Sequence, residues 1–282
     1  MKKLKFVALT LALVVGITSI VGCSSSKTGS TAANSSSTST KTVKIGVVGE
    51  NNETWNPVIQ SLAAEGVKIE LVKFADYTLP NQALQDGEID LNAFQHYAFL
   101  KKAIQDKNYQ LTAIGETIIA PLGLYSKKIK NVNELKNGDQ IAIPNDPSNG
   151  GRALKLLESA GLIKIKPEVG YLPTVKDITE NKLNLKFHEV EAAQTAGLLP
   201  DVAAAVINGG HAIDAHLNPQ SDAIFLESVN SGSDNPYINV IVARTVDKDN
   251  EIYKKIVKAY RTPAVADVIK TTYKGAYLPT WK

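Results

Sequence analysis

Val43-Lys44-Ile45-Gly46-Val47-Val48, then Trp55 to Ala64, then Val67 to Lys73 place a short apolar run, a segment of helical period and a second short apolar run in succession. That order reads as β, α, β. It continues through a helix introduced by Pro80 and Asn81, a short strand around Ile89 to Leu91 and a helix over Tyr97 to Lys107. Parallel strands with crossover helices on both faces of a sheet make an α/β fold. Farther along, Leu111 to Ile119 and Leu122 to Tyr125 are strand-like runs broken by Ala120-Pro121, and they lead into the basic stretch Lys127 to Lys130. A crossing into a second lobe is expected there. In that lobe Gln140 to Ile143, Leu183 to Val190, Val202 to Ile207 and Ala223 to Leu226 read as strands, and Asn149 to Ala160 as a helix. A polar turn around Ser231 to Asn235 precedes the strand Tyr237 to Ala243 and helices near Lys248 to Tyr260 and Ala264 to Tyr273, which return the chain to the first lobe.

A body of about 240 residues exceeds one doubly wound domain, so two lobes joined by two crossings fit the length, with a cleft between them. The expected limits are 43–126 and 236–282 for lobe 1 and 127–235 for lobe 2. Crevices between lobes and at the carboxyl ends of strands are where small solutes bind.

Of 282 residues, 44% are apolar and 21% charged, the composition of a folded protein. Three of the 31 basic residues are Lys2, Lys3 and Lys5, and the rest balance the 28 acidic ones. No excess of positive charge remains to neutralise phosphates, which excludes nucleic acid as a partner class. After those lysines Phe6 to Ile20 is uncharged and too short to span a bilayer, as in an export signal over residues 1–22. Ile20-Val21-Gly22-Cys23 has the form of a lipobox, in which the thiol of Cys23 takes a diacylglycerol. The alternative, a buried core cysteine, does not suit a residue placed between a signal core and a Ser/Thr tract. Residues 23–42 are then a flexible tether holding a soluble monomer at a lipid bilayer. Cys23 is the single cysteine, so no intrachain disulfide forms.

Catalytic signatures such as Gly-x-Ser-x-Gly, the phosphate loop and His-Glu-x-x-His are absent, and the sequence implies no cofactor. His211, Asp214 and His216 invite a metal reading. On a helix, however, i and i+5 diverge, so a satisfied or surface histidine pair is preferred. Pro144 to Arg152 sets two prolines and capping residues between a strand and a helix. The helix start and the planar fork of Arg152 together suit a carboxylate held by two bonds. The plainer reading is a local cap or salt bridge. Tyr77, Phe94, His96 and Phe99 lie at strand-to-helix transitions, where aromatic faces can enclose an apolar or thioether side chain; core packing is the alternative, for Phe99 above all.

Tyr77-Thr78-Leu79-Pro80-Asn81-Gln82-Ala83-Leu84, Phe94-Gln95-His96 and Ile143-Pro144-Asn145-Asp146-Pro147-Ser148-Asn149 resemble the methionine-binding lipoprotein family, also called the NlpA family. Ala205-Val206-Ile207-Asn208 and Pro236-Tyr237-Ile238-Asn239 extend the resemblance, which runs from about Val43 to Trp281. It implies a periplasmic-binding-protein-like (type II) fold with a mixed sheet in each lobe, and an extracytoplasmic protein that is no enzyme. Such a protein captures L-methionine or a close analogue for a membrane-embedded ABC permease and its ATPase. The resemblance also implies that Arg152 holds the ligand carboxylate, that Asn208 and Asn239 offer oxygens to its ammonium, and that Tyr77, Phe94 and His96 line the side-chain pocket. Two departures touch that pocket: Phe99 stands where familiar members have a tyrosine, and Gly209-Gly210-His211 lacks the tyrosine that commonly follows Asn208 by three positions. Replacing Arg152 by alanine is expected to weaken binding and leave the fold intact. A dipeptide or other amino-acid carrier, a metal-dependent hydrolase built on His211 and His216, and an adhesin with a vestigial cleft are the rival readings.

Overall fold

The computed structural model describes residues 40–229 and 234–281. The export signal, Cys23, most of the tether and the polar turn at Ser231 lie outside the described residues.

Strand β1 (Lys41–Val48) buries Val43, Ile45 and Val47 and exposes Lys44. Its pairing begins with Lys41 opposite Val67 and Thr42 opposite Lys68, so the tether ends two residues earlier than hydropathy suggests. Backbone bonding recruits these two residues while their side chains stay in water. Helix α1 (Asn56–Ala63) carries Pro57 in its first turn, where the missing N–H costs nothing, and Gly66 at φ +77° turns the chain into β2 (Val67–Phe74). Then follow α2 (Pro80–Gln85), β3 (Leu91–His96), α3 (Tyr97–Lys107), β4 (Leu111–Glu116) and the short β5 (Ile118–Ile119).

The chain now crosses to the second sheet. It supplies β6 (Gly123–Tyr125), β7 (Gln140–Pro144), α4 (Pro147–Ser159), a small pair β8 (Lys164–Ile165) and β9 (Ile178–Glu180), β10 (Lys186–Val190), β11 (Ala204–Ile207), α5 (Gly209–Asp214), α6 (Pro219–Asp222) and β12 (Ala223–Leu226). It returns through β13 (Asn239–Arg244), α7 (Glu251–Tyr260), α8 (Pro263–Tyr273) and β14 (Leu278–Pro279), which pairs with β5.

The first sheet has the order β2-β1-β3-β13-β4, the second β10-β7-β11-β6-β12. Both are mixed: β1 runs parallel to β2 and β3 and β13 antiparallel to β3 and β4, while β7 runs parallel to β10 and β11 and β6 antiparallel to β11 and β12. Each sheet is buried on both faces. On β13, Ile241 and Ala243 enter a core with Trp55, Leu62 and Ile256, and Val240 and Val242 enter another with Leu84, Leu100 and Leu111.

Two expectations are corrected. The first crossing, expected at 126/127, lies at Ala120–Leu122, because Gly123–Tyr125 already pairs with β11 and β12. An apolar run marks a strand but does not say which sheet it joins. The strand expected at Ile89 to Leu91 is β3, Leu91–His96. Its polar Asn92 and Gln95 are buried because they bond each other and Asn81.

Candidate functional site

The two sheets face each other across a cavity of about 100 Å³ whose lining includes all seven residues named as ligand-binding from the sequence. On the first-lobe side, the loop after β2 supplies Tyr77, β3 supplies Phe94 and His96, the first turn of α3 supplies Phe99, and the start of β13 supplies Asn239. Phe94, Phe99 and Tyr77 form a triangle with ring centres 5.7 to 6.0 Å apart. Phe99 is therefore part of the aromatic wall.

His96 is the N-cap of α3: its Nδ1 accepts from Phe99 N at 3.1 Å. The proton must then sit on Nε2, which donates to Asn149 Oδ1 at 3.3 Å in the other lobe. Burial first, and the Arg152 guanidinium second, hold its pKa down at about 3, so the ring is neutral. Asn149, which the sequence marks only as the start of a helix and the end of a family motif, is the hub. Its Oδ1 also accepts from Asn208 Nδ2 at 2.7 Å, while Asp146 fixes its N–H and its side-chain amide at 2.9 Å each. That network turns Asn208 so that Oδ1 is buried with no hydrogen-bond partner among the described residues. A buried bare acceptor in a cavity wall suits a cationic N–H donor. Asn239 stands opposite His96 in the β13–β3 register, and its carbonyl accepts from Thr117 N at 2.8 Å.

Arg152 is 2% exposed, on the second turn of α4, but its fork is not free as expected. Nε donates to Glu227 Oε1 at 2.9 Å, Nη2 donates to Glu227 Oε2 and to the Ala120 carbonyl, and the guanidinium lies 4.4 Å from the centre of the Tyr237 ring. The carboxylate seat with two bonds is thus corrected: the Nε–Nη2 edge belongs to Glu227, and Nη1 alone makes no protein hydrogen bond among the described residues. A buried guanidinium requires a counter-charge, and Glu227, 75 residues away in sequence, provides it. No local signal marks Glu227 for that task.

His211 and Asp214 both line the cavity. His211 packs its ring on Tyr77 with centres 4.8 Å apart. Asp214 Oδ1 reaches the first lobe, accepting from Asn51 Nδ2 at 2.6 Å and from the Glu50 and Asn51 N–H groups at 3.3 Å. His216 lies beyond α5 at φ +60°. Among the described residues no three His, Cys, Asp or Glu side chains are placed to hold a metal ion. The glycines before His211 have a steric reason: a Cβ at Gly209 would meet Ala120 Cβ at 3.0 Å, and one at Gly210 would meet the Tyr277 hydroxyl at 3.3 Å.

The sequence pattern of the NlpA lipoprotein family matches residues 43–281. The chain belongs to the NlpA lipoprotein family. It is 42% identical over 243 residues, 85% of this chain and 88% of the relative, to the D-methionine-binding lipoprotein MetQ of Yersinia pestis. Among solved structures, a nutrient binding protein from Burkholderia cenocepacia bound to methionine is similar with a TM-score of 0.80 and 42% identity, covering 85% of this chain and 100% of that one. The substrate binding protein of a methionine transporter from Streptococcus pneumoniae is similar with a TM-score of 0.80 and 37% identity, covering 85% and 96%. This NlpA member therefore has the two-lobed fold of substrate-binding proteins.

Proposed function

We propose that this NlpA lipoprotein encloses methionine between its lobes and delivers it to a membrane permease driven by an ATPase, with no catalytic step. The observation that carries the reading is the pairing of an aromatic triangle, Tyr77, Phe94 and Phe99, with a polar end at Arg152 Nη1 and the unpartnered Oδ1 of Asn208. The rings take the thioether chain, with sulfur near ring edges. Nη1 takes one carboxylate oxygen, and Asn208 and Asn239 take the ammonium. The relatives' names, and the methionine in the Burkholderia structure, support this ligand. Removing either end charge from the ligand leaves the other end's partner buried and unsatisfied, which costs on the order of several kcal/mol.

The lobes in this reading are bodies that swing about the crossings. Cys23 carries a lipid, residues 24–40 form the tether, and the body works outside the cytoplasmic membrane as a monomer. Among the described residues no helix is long and apolar enough to cross a membrane. Calorimetric titration of the purified full chain with L-methionine, D-methionine, the sulfoxide and glycyl-methionine tests the proposal. Saturable heat with a methionine enantiomer is expected, preference for the dipeptide makes the protein a peptide carrier, and absence of heat with all four ends the ligand assignment.

A further inference from the structure

The methionine reading leaves one polar atom of the cavity wall without a task. His211 lies in the first turn of α5, is 7% exposed, and stacks against Tyr77, yet its Nε2 is buried with no hydrogen-bond partner among the described residues. Burial, opposed by Asp214 and Asp76, holds the imidazole below its ordinary pKa, so the ring is neutral, with one N–H and one bare nitrogen. Either form of Nε2 is left unsatisfied beside the aromatic triangle, whose carbon faces return no conventional hydrogen bond. A thioether is only a weak acceptor, and a hydrocarbon chain is none. An uncharged oxygen or amide nitrogen at the end of a ligand side chain would satisfy Nε2 without bringing a second charge into the cavity.

We propose that His211 is a specificity-determining residue that favours α-amino acids whose side chain ends in a neutral hydrogen-bonding group over hydrocarbon side chains of the same length. The inference rests on the amino-acid reading of this site and deepens it. Truncating a hydrogen bond to a buried neutral partner changes affinity by about tenfold, which sets the expected effect.

The test compares dissociation constants of norleucine, methionine, methionine sulfoxide and glutamine on the full chain and on His211→Phe, which keeps the ring stack and removes the nitrogen. The preference for the better-bound of the two polar-ended ligands over norleucine should shrink about tenfold in the variant. A preference that is absent in the parent, or unchanged in the variant while methionine still binds, overturns the proposal. If no amino acid binds the parent, the amino-acid reading falls and takes this inference with it. Should His211→Phe fail to fold, the ¹⁵N signal of His211 Nε2 in the parent decides. It should move on adding the polar-ended ligand and stay with saturating norleucine, and equal movement with both overturns the assignment.

Discussion

Arg152 shows how a side chain can be assigned to a ligand from sequence and still be misjudged as a structural element. With Nε and Nη2 committed to Glu227, whose other contact is Leu122 N at 2.9 Å, the guanidinium holds the crossing as well as the cavity. Arg152→Ala is therefore expected to destabilise the fold by about 3–5 kcal/mol, because Glu227 is left charged and poorly solvated, contrary to the expectation of an intact fold. Arg152→Met combined with Glu227→Gln should recover most of that stability in urea unfolding while ligand affinity stays lost. Recovery of both would remove Arg152 from the ligand. His96 gives a pH signature of opposite origin. Its pKa falls from the ordinary 6.5 to about 3 on folding, so the unfolded chain takes up the proton first as pH drops. The stability due to a neutral His96 is complete above pH 6.5 and is lost toward pH 3, with a slope of about 1.4 kcal/mol per unit. His96→Asn keeps an acceptor for the α3 cap, and its stability between those pH values should fall less steeply than the parent's.

Among elements, the legible ones are those whose apolar residues recur at helical spacing or run unbroken over a strand's length. The spacing over Tyr97 to Lys107 predicts α3 with the bounds that the structure has, and Ala223 to Leu226 is β12 as read. β3 was legible only at its first residue. Beyond Leu91 it carries Asn92 and Gln95 inward, and their amides close a ring of bonds of 2.6 to 2.9 Å with Asn81 of α2. Such polarity reads as a loop unless the partners, here 11 and 14 residues away, are known in advance. The candidate site was legible to the same extent: the aromatic residues and Arg152 stand out by type and position, whereas Glu227 and the hub role of Asn149 depend on pairings across the fold. Asn81→Leu should remove about 1–3 kcal/mol of stability, since it leaves the buried Gln95 Oε1 without its donor and takes one acceptor each from Asn92 Nδ2 and Gln95 Nε2. Because β3 carries Phe94 and His96, ligand affinity should fall as well, and an affinity equal to the parent's would separate this network from the site.

At the scale of the whole molecule, the lobes are held together by bonds that cross the cleft: His96 to Asn149, and the Asp214 carboxylate to the turn at Glu50 and Asn51. Gly49 has φ +80°, and a Cβ there would run into the Asp214 carboxylate. Gly49→Ala should therefore resist closure, with a larger radius of gyration by small-angle scattering and affinity reduced roughly tenfold or more by the lower population of closed molecules. An unchanged radius with unchanged affinity would show that the turn yields freely.

The Arg152–Glu227 pair has one more consequence, in the kinetics of capture. Because the cationic group in the cavity is paired with an anion of the same protein and the incoming zwitterion carries no net charge, the attraction between them at long range is weak. Electrostatic steering then contributes little, and the association rate should stay within about a factor of two as ionic strength rises from low salt to half-molar in stopped-flow fluorescence. Solute uptake built on such a site is buffered against swings in external salinity.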